Sequence, residues 1–216
     1  MFDERLTDPL YTTNQAAQYL DLNPATLRYW VNKDHLLTVG TPETPRGPRL
    51  PFAALVEAQL FILFRELGLS LQAIASGMLV VRKELGDELL KKDCLATDGK
   101  DILINYALDS RDAEWTRARD LQIGIPKVID EGLKLIRWAD DDYPQALRLR
   151  VYGSTDVIAD PRIAYGQAVI EGTRTRVEDV ISLFKAREPV KAIAEEFQIN
   201  ELAVEDMIRP YVRLAA

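Results

Sequence analysis

The stretch Tyr11–Leu36, YTTNQAAQYLDLNPATLRYWVNKDHL, has the marks of two short helices joined by a tight turn and then a break. Thr12 or Thr13 can cap the first helix, because a hydroxyl oxygen there accepts from an otherwise unpaired backbone N–H. Ala16, Ala17 and Leu20 follow at helical spacing on one face. Asp21-Leu-Asn23 forms the turn. Asn23 is a good N-cap, and Pro24 suits the first helical position, where its missing N–H costs nothing. In the second helix Leu27, Trp30 and Val31 make the inward stripe. Ala25, Thr26, Arg28, Tyr29, Asn32 and Lys33 are left facing outward. Small alanines where two helices cross, with a polar and cationic outer face, are what a helix-turn-helix requires. A plain helical hairpin would share the apolar spacing. The combination of Arg, Tyr, Asn and Lys on the exposed face favours DNA binding.

The chain of 216 residues is 47% hydrophobic, enough for one good core or two to three small ones. No apolar run approaches a membrane span, and the acidic start lacks a signal-peptide core. With Cys94 as its single cysteine it has no disulfide framework, which fits a reducing compartment, so a cytoplasmic protein with no membrane partner is expected. The net charge of −7 would repel phosphate if evenly spread. It is not even: Arg28, Lys33, Arg46 and Arg49 stand against Asp34 and Glu43 between Pro24 and Pro51, while acids accumulate from Glu178 to Asp206. Two surfaces for two kinds of partner follow from that asymmetry.

After His35, Leu36–Val39 is β-prone, and the proline- and glycine-rich run from Gly40 to Pro51 excludes helix. A strand–loop–strand hairpin is predicted, a wing beside the helix pair, with Arg46 and Arg49 able to reach DNA. Ala53–Leu67 reads as a helix ended by Gly68, and Ser70 caps another from Leu71 to about Leu85, striped by Ile74, Met78, Val81 and Leu85. Arg28-Tyr-Trp, Arg49 three residues before Phe52, and Arg65-Glu-Leu-Gly-Leu-Ser-Leu-Gln-Ala-Ile together resemble the winged helix-turn-helix of the MerR family over roughly residues 10 to 85. The resemblance implies that Arg28 and Tyr29 contact DNA from the recognition helix and Arg49 from the wing. The chain departs from the family in its proline-rich wing and in lacking an evident long dimerisation helix.

The middle, residues 93–151, is less patterned. Lys100–Tyr106 is rich in strand formers, Trp115–Leu121 and Lys127–Trp138 read as helix-containing, and Asp140–Pro144 as a turn. A small strand-and-helix module that packs against its twin in a homodimer is expected. Cys94 reads as a buried apolar group and His35 as a helix-end residue. One thiol and one imidazole about sixty positions apart cannot assemble a metal site, so no metal and no cofactor are expected.

The pattern changes at about Tyr152. Short strands are expected from Asp156 and at Ala168–Ile170, with turns at Asp160-Pro161 and Gly172-Thr173. Helices then begin near Glu178, at Pro189 and after the capping Asn200. This three-helix unit, with Asp160-Pro161, Gly166, Val169-Ile170, Gly172-Thr-Arg174 and Val190–Phe197, resembles a small bacterial domain found in VapB-type antitoxins. Such domains accompany PIN-domain toxins, metal-dependent ribonucleases. The resemblance implies a toxin partner, which an antitoxin blocks by offering acids to its cationic rim or an arginine to its carboxylates. Glu195, Glu196, Glu201, Glu205 and Asp206 are candidates for the first role, and Arg174, Arg176, Arg209 and Arg213 for the second. Otherwise they are a solvated helix face.

The expected protein is mainly α with short β hairpins. Residues 1–92 form a winged helix-turn-helix, 93–151 a small α+β segment and 152–216 a trihelical unit. The expected function is that of an antitoxin that represses its own operon, binding operator DNA through Thr26, Arg28, Tyr29, Asn32, Lys33, Arg46 and Arg49, and neutralising a PIN-like toxin. A free-standing MerR-like regulator whose middle segment senses a small ligand is the alternative. The sole histidine lies beside the recognition helix, and glycine-rich phosphate loops and paired carboxylates are lacking, so no catalytic residue is assigned.

Overall fold

The computed structural model describes residues 4–32, 36–40, 49–92, 94–97, 102–105, 115–118 and 134–215. After a short helix α1 (Glu4–Thr7), the sequence-predicted pair appears as α2 (Thr13–Tyr19) and α3 (Pro24–Asn32). Thr12 caps α2 by accepting from Gln15 N at 3.2 Å, and Asn23 Oδ1 accepts from Ala25 N at 2.8 Å. Asp21 closes α2 in the left-handed region (φ 53°), and Leu22 N donates back to Ala17 O at 2.9 Å. Aspartate is one of the few residues besides glycine that enters this region readily. Ala16, Ala17, Leu20, Leu27 and Trp30 are buried, and the Trp30 indole meets Phe61 edge-on at 5.5 Å.

Helix α4 (Phe52–Glu66) is buried nearly all round because α1, Trp30 of α3, and the later segments Leu71–Leu85, Gly86–Leu90 and Pro144–Arg148 pack around it. Helix α5 (Leu71–Leu85) is capped by Ser70, whose Oγ accepts from Ala73 N, and a 3-10 turn at Gly86–Leu90 follows. Three short strands then form an antiparallel sheet in the order β1 (Leu95–Thr97), β2 (Ile102–Asn105), β3 (Trp115–Arg117). This sheet lies on α5 at Gly77, where a Cβ would sit 3.0 Å from Ile102 Cδ1, so the missing side chain admits the strand. Cys94 is fully buried, and burial pushes its thiol up to about 12.

A second antiparallel sheet has the order β4 (Ile136–Trp138), β5 (Pro144–Arg148), β6 (Val157–Ala159), β7 (Val169–Ile170). Leu147, Val157 and Ala159 face the main core, while Ala146, Ile158 and Val169 form a small cluster on the other side. Helices α6 (Val177–Lys185), α7 (Val190–Phe197) and α8 (Glu201–Ala215) complete the chain, with Asn200 Oδ1 accepting from Ala203 N at 2.7 Å. The fold is the expected one: mainly helical, with small antiparallel sheets and a three-helix C-terminal unit.

Three local expectations need correction. Trp115–Arg117 and Ile136–Trp138 are strands, not parts of helices. Each is completed by a neighbouring strand: β3 pairs with β2, and β4 turns at Asp140–Tyr143 to pair with β5. Leu36–Val39 is irregular backbone rather than a strand, because Leu36 and Leu37 are buried and Thr38 is bonded to Glu57. The β4–β7 sheet has strands on both sides of residue 151, the limit read from the sequence. Residues 119–133 lie outside the described residues, as does His35.

Candidate nucleic-acid interface and C-terminal face

Helix α3 buries Leu27 and Trp30 and turns Ala25, Arg28, Tyr29 and Asn32 outward, a spacing that puts these four on one face. Thr26 is exposed beside them, and Tyr29 is 48% exposed. Nine residues make a helix about 13 Å long, comparable with the ~12 Å width of the major groove. Arg49 is exposed at the base of the wing. Its carbonyl accepts from Gly40 N at 2.8 Å and its N–H donates to Tyr11 O at 3.1 Å, while Leu50 bridges Tyr11. Lys33 and Arg46 lie outside the described residues, as do residues 41–48 of the wing.

The segment Leu36–Thr38, which follows α3, is pinned by a buried carboxylate. Glu57 on α4 is 0% exposed. Its Oε2 accepts from Thr38 N at 2.6 Å, its Oε1 accepts from Thr38 Oγ1 at 2.8 Å, and Arg82 on α5 reaches Oε1 at 2.9 Å. Arg82 also donates to Leu36 O at 3.1 Å. Burial pushes the Glu57 carboxyl up, and Arg82 and Thr38 pull it part of the way back. This group was invisible as a site in the sequence, where Glu57 interrupts an otherwise apolar helix without a local partner.

The helix pair also leans on the C-terminal unit. The Tyr19 hydroxyl accepts from Ala168 N at 3.0 Å, and Tyr11 fits against Gly166 so tightly that a Cβ there would lie 2.4 Å from its hydroxyl. Tyr11 and Tyr19 meet edge-on at 5.9 Å. Asp21, in the turn between α2 and α3, pairs with Arg213 of α8, and Glu66 with Arg150 at 3.1 Å. Helix α2 and the turn that leads into α3 are therefore seated on a unit more than a hundred residues away in sequence.

On the C-terminal helices, Glu195, Glu196, Glu201 and Glu205 are exposed, and so is Arg174. Arg176 is held by Asp179 at 2.6 Å and by Gln167 at 3.3 Å. Arg209 is paired with Asp206 at 3.1 Å, and beside it Phe184, Val190, Ile208 and Val212 line an open apolar groove. Asp206 departs from the expected surface role. Its side chain is 3% exposed, and its Oδ2 accepts from the N–H and hydroxyl of both Ser154 and Thr155 at 2.8 to 3.1 Å. Burial opposes its ionisation, but the bonds from Ser154 and Thr155 prevail and hold the carboxyl below its ordinary value. Asp206→Ala is expected to destabilise the protein by about 3 kcal/mol at neutral pH, because four donors lose a buried acceptor. A folded value below the unfolded one, about 3.9, contributes stability above that pH and loses it as pH falls through the folded value. Denaturant melts should show the gap between wild type and variant closing below about pH 4. Among the described residues no three His, Cys, Asp or Glu side chains are placed to hold a metal ion, and no helix is long and apolar enough to cross a membrane.

Comparison with known proteins places both ends. Residues 11–78 match the model of the MerR HTH family regulatory protein, and residues 157–209 match "Protein of unknown function (DUF433)". Along its length the chain is similar to the Mycobacterium tuberculosis (strain ATCC 25618 / H37Rv) protein named "Putative antitoxin VapB45", with 28% identity over 225 residues and 94% of each chain covered. The X-ray crystal structure of Rv2018 from Mycobacterium tuberculosis has the same fold, with a TM-score of 0.71 at 25% identity, over 94% of this chain and 99% of that one. The chain thus carries a region that matches the MerR HTH model ahead of one that matches DUF433, and over 94% of its length it is similar to the protein named "Putative antitoxin VapB45".

Proposed function

We propose that this protein is the antitoxin of a toxin–antitoxin pair. It binds its own operator as a homodimer through α3 and the wing, represses the operon, and holds a PIN-like ribonuclease inactive through its C-terminal helices. It acts by binding and not by catalysis. The observation that carries the reading is the exposed Arg28, Tyr29 and Asn32 on a helix whose other face is locked into the core, in a chain similar from end to end to a protein named as an antitoxin. Thr26, Arg49, Lys33 and Arg46 complete the DNA-reading set. Glu195, Glu196, Glu201, Glu205, Arg174, Arg176, Arg209 and Arg213 are the toxin-facing candidates, and the buried Asp206 is left out.

Fluorescence anisotropy with DNA from upstream of the protein's own gene tests the first half. Arg28→Ala should weaken binding by about 1–3 kcal/mol if the lost contact is to a base edge. Arg49→Ala should weaken it evenly across sequences and lower the salt slope by about one, the signature of a phosphate contact. Unchanged affinity in both variants would remove α3 and the wing from the interface. The second half calls for surface substitutions rather than truncation. Deleting the chain from about residue 156 also removes Gly166 and Ala168, on which Tyr11 and Tyr19 rest.

A further inference from the structure

Between α2 and the C-terminal helices lies an open cleft of about 510 Å³, within the size range of small-molecule sites. Its lining holds hydrogen-bonding groups that the fold does not use. Tyr19 accepts from Gln15 Nε2 at 3.1 Å and from Ala168 N at 3.0 Å, so both lone pairs of its hydroxyl are taken. Its own O–H proton has no acceptor among the described residues. Tyr152, 1% exposed, also lines the cleft, and its hydroxyl makes no hydrogen bond among the described residues. Gln18 adds an uncommitted carboxamide.

Glu178 and Lys185 line the same cleft from α6. They are seven residues apart, so they share a helix face two turns apart, at a separation of about 10 Å along the axis. Neither carries an ion-pair partner among the described residues, and Lys185 Nζ is held 4.7 Å above the Tyr211 ring. The cleft therefore offers an anion, a cation two helical turns from it, and hydroxyl donors in the same lining. An apolar occupant would leave those donors dry and unpaired, and a simple anion would face Glu178.

We propose that this cleft binds a short extended zwitterion of peptide-like chemistry, its amine toward Glu178, its carboxylate toward Lys185, and its carbonyls accepting from Tyr19 and Tyr152. At about 3.3–3.6 Å per extended residue, roughly three residues span the distance. Because Tyr19 and Gln18 belong to the first helix of the DNA-reading pair, such a ligand touches both ends of the chain. The site adjoins Arg176, which donates to Gln167 of the cleft lining at 3.3 Å, but it does not depend on the antitoxin reading.

Isothermal titration of the full chain with trialanine and triserine, up to about 10 mM, tests it. Trialanine amide and N-acetyl-trialanine are the controls. Both tripeptides should bind, and each capped form should bind about tenfold more weakly. Lys185→Gln should abolish the preference for the free carboxylate, and Glu178→Gln the preference for the free amine. Tyr152→Phe should weaken binding without altering either preference. Absence of binding by both tripeptides, or capped forms that bind as well as free ones, would overturn the proposal.

Discussion

Arg82→Ala is expected to destabilise the protein by about 3–5 kcal/mol, the usual cost of stranding one member of a buried ion pair. Arg82 reaches Glu57, Thr38 and Leu36 O together, so its removal leaves a fully buried carboxyl with Thr38 as its remaining partner among the described residues. The Glu57 carboxyl, already pushed up by burial, then rises further because its cationic partner is gone. A carboxyl raised above its unfolded value of about 4.3 binds more protons in the folded state. Its contribution is present below that pH and is lost as pH rises through the folded value. Chemical denaturation from pH 5 to 8 should therefore show the variant losing stability faster than wild type. Adding Glu57→Gln to Arg82→Ala should recover part of the loss and flatten the pH dependence. Equal slopes in the two proteins would mean that Glu57 is not the group left uncompensated. Because Thr38 leads into the wing, operator affinity should fall with Arg82→Ala even under conditions where the variant remains folded.

Gly166→Ala is expected to cost about 3 kcal/mol, on the order of 10 °C in melting temperature for a chain of this size. Two effects combine. Gly166 has φ +73°, where an L side chain costs about 1–2 kcal/mol. The added methyl would also meet the Tyr11 hydroxyl at 2.4 Å, and Tyr11 is 0% exposed, so it has nowhere to retreat. The Tyr11 hydroxyl has no hydrogen-bond partner among the described residues, so Tyr11→Phe alone should be close to neutral. In the double variant the hydroxyl clash is relieved, while the backbone strain and the 3.1 Å approaches to the ring Cζ and Leu10 Cδ1 remain, leaving a deficit of about 1–2 kcal/mol. Additive losses would show that the two residues do not meet, and the contact between the helix pair and the C-terminal unit would have to be redrawn.

Much of the fold was legible because its signals are local. Thr12, Asn23, Ser70 and Asn200 act as caps where their neighbours predicted, and the stripe Ile74, Met78, Val81 is buried. The exposed face of α3 was also readable, since Leu27 and Trp30 fix which side turns inward. Strands β3 and β4 were misread because a strand of three residues carries too little periodicity to be told from a helix. The wing anchor and the seam were illegible for a related reason. Glu57 meets Arg82 from another helix, and Tyr11, Tyr19 and Asp21 find partners at positions 166, 168 and 213, which no local pattern announces. Asp206 illustrates the opposite failure. It sits in an acidic run that reads as surface, yet the loop at Ser154 and Thr155 turns it inward.

The central claim, that one end of the chain reads DNA while the other holds a toxin, is tested most directly by growth rescue. Cells expressing the product of the gene beside this one, the toxin under the proposed function, would receive wild type, Arg28→Ala, or the four-fold variant Glu195→Gln, Glu196→Gln, Glu201→Gln, Glu205→Gln, each from an unrelated promoter. All four glutamates are exposed, so the variant should fold as wild type does. Wild type and Arg28→Ala should restore growth, and the four-fold variant should fail to. Full rescue by the four-fold variant, or failure by a folded Arg28→Ala protein, would contradict this division of labour.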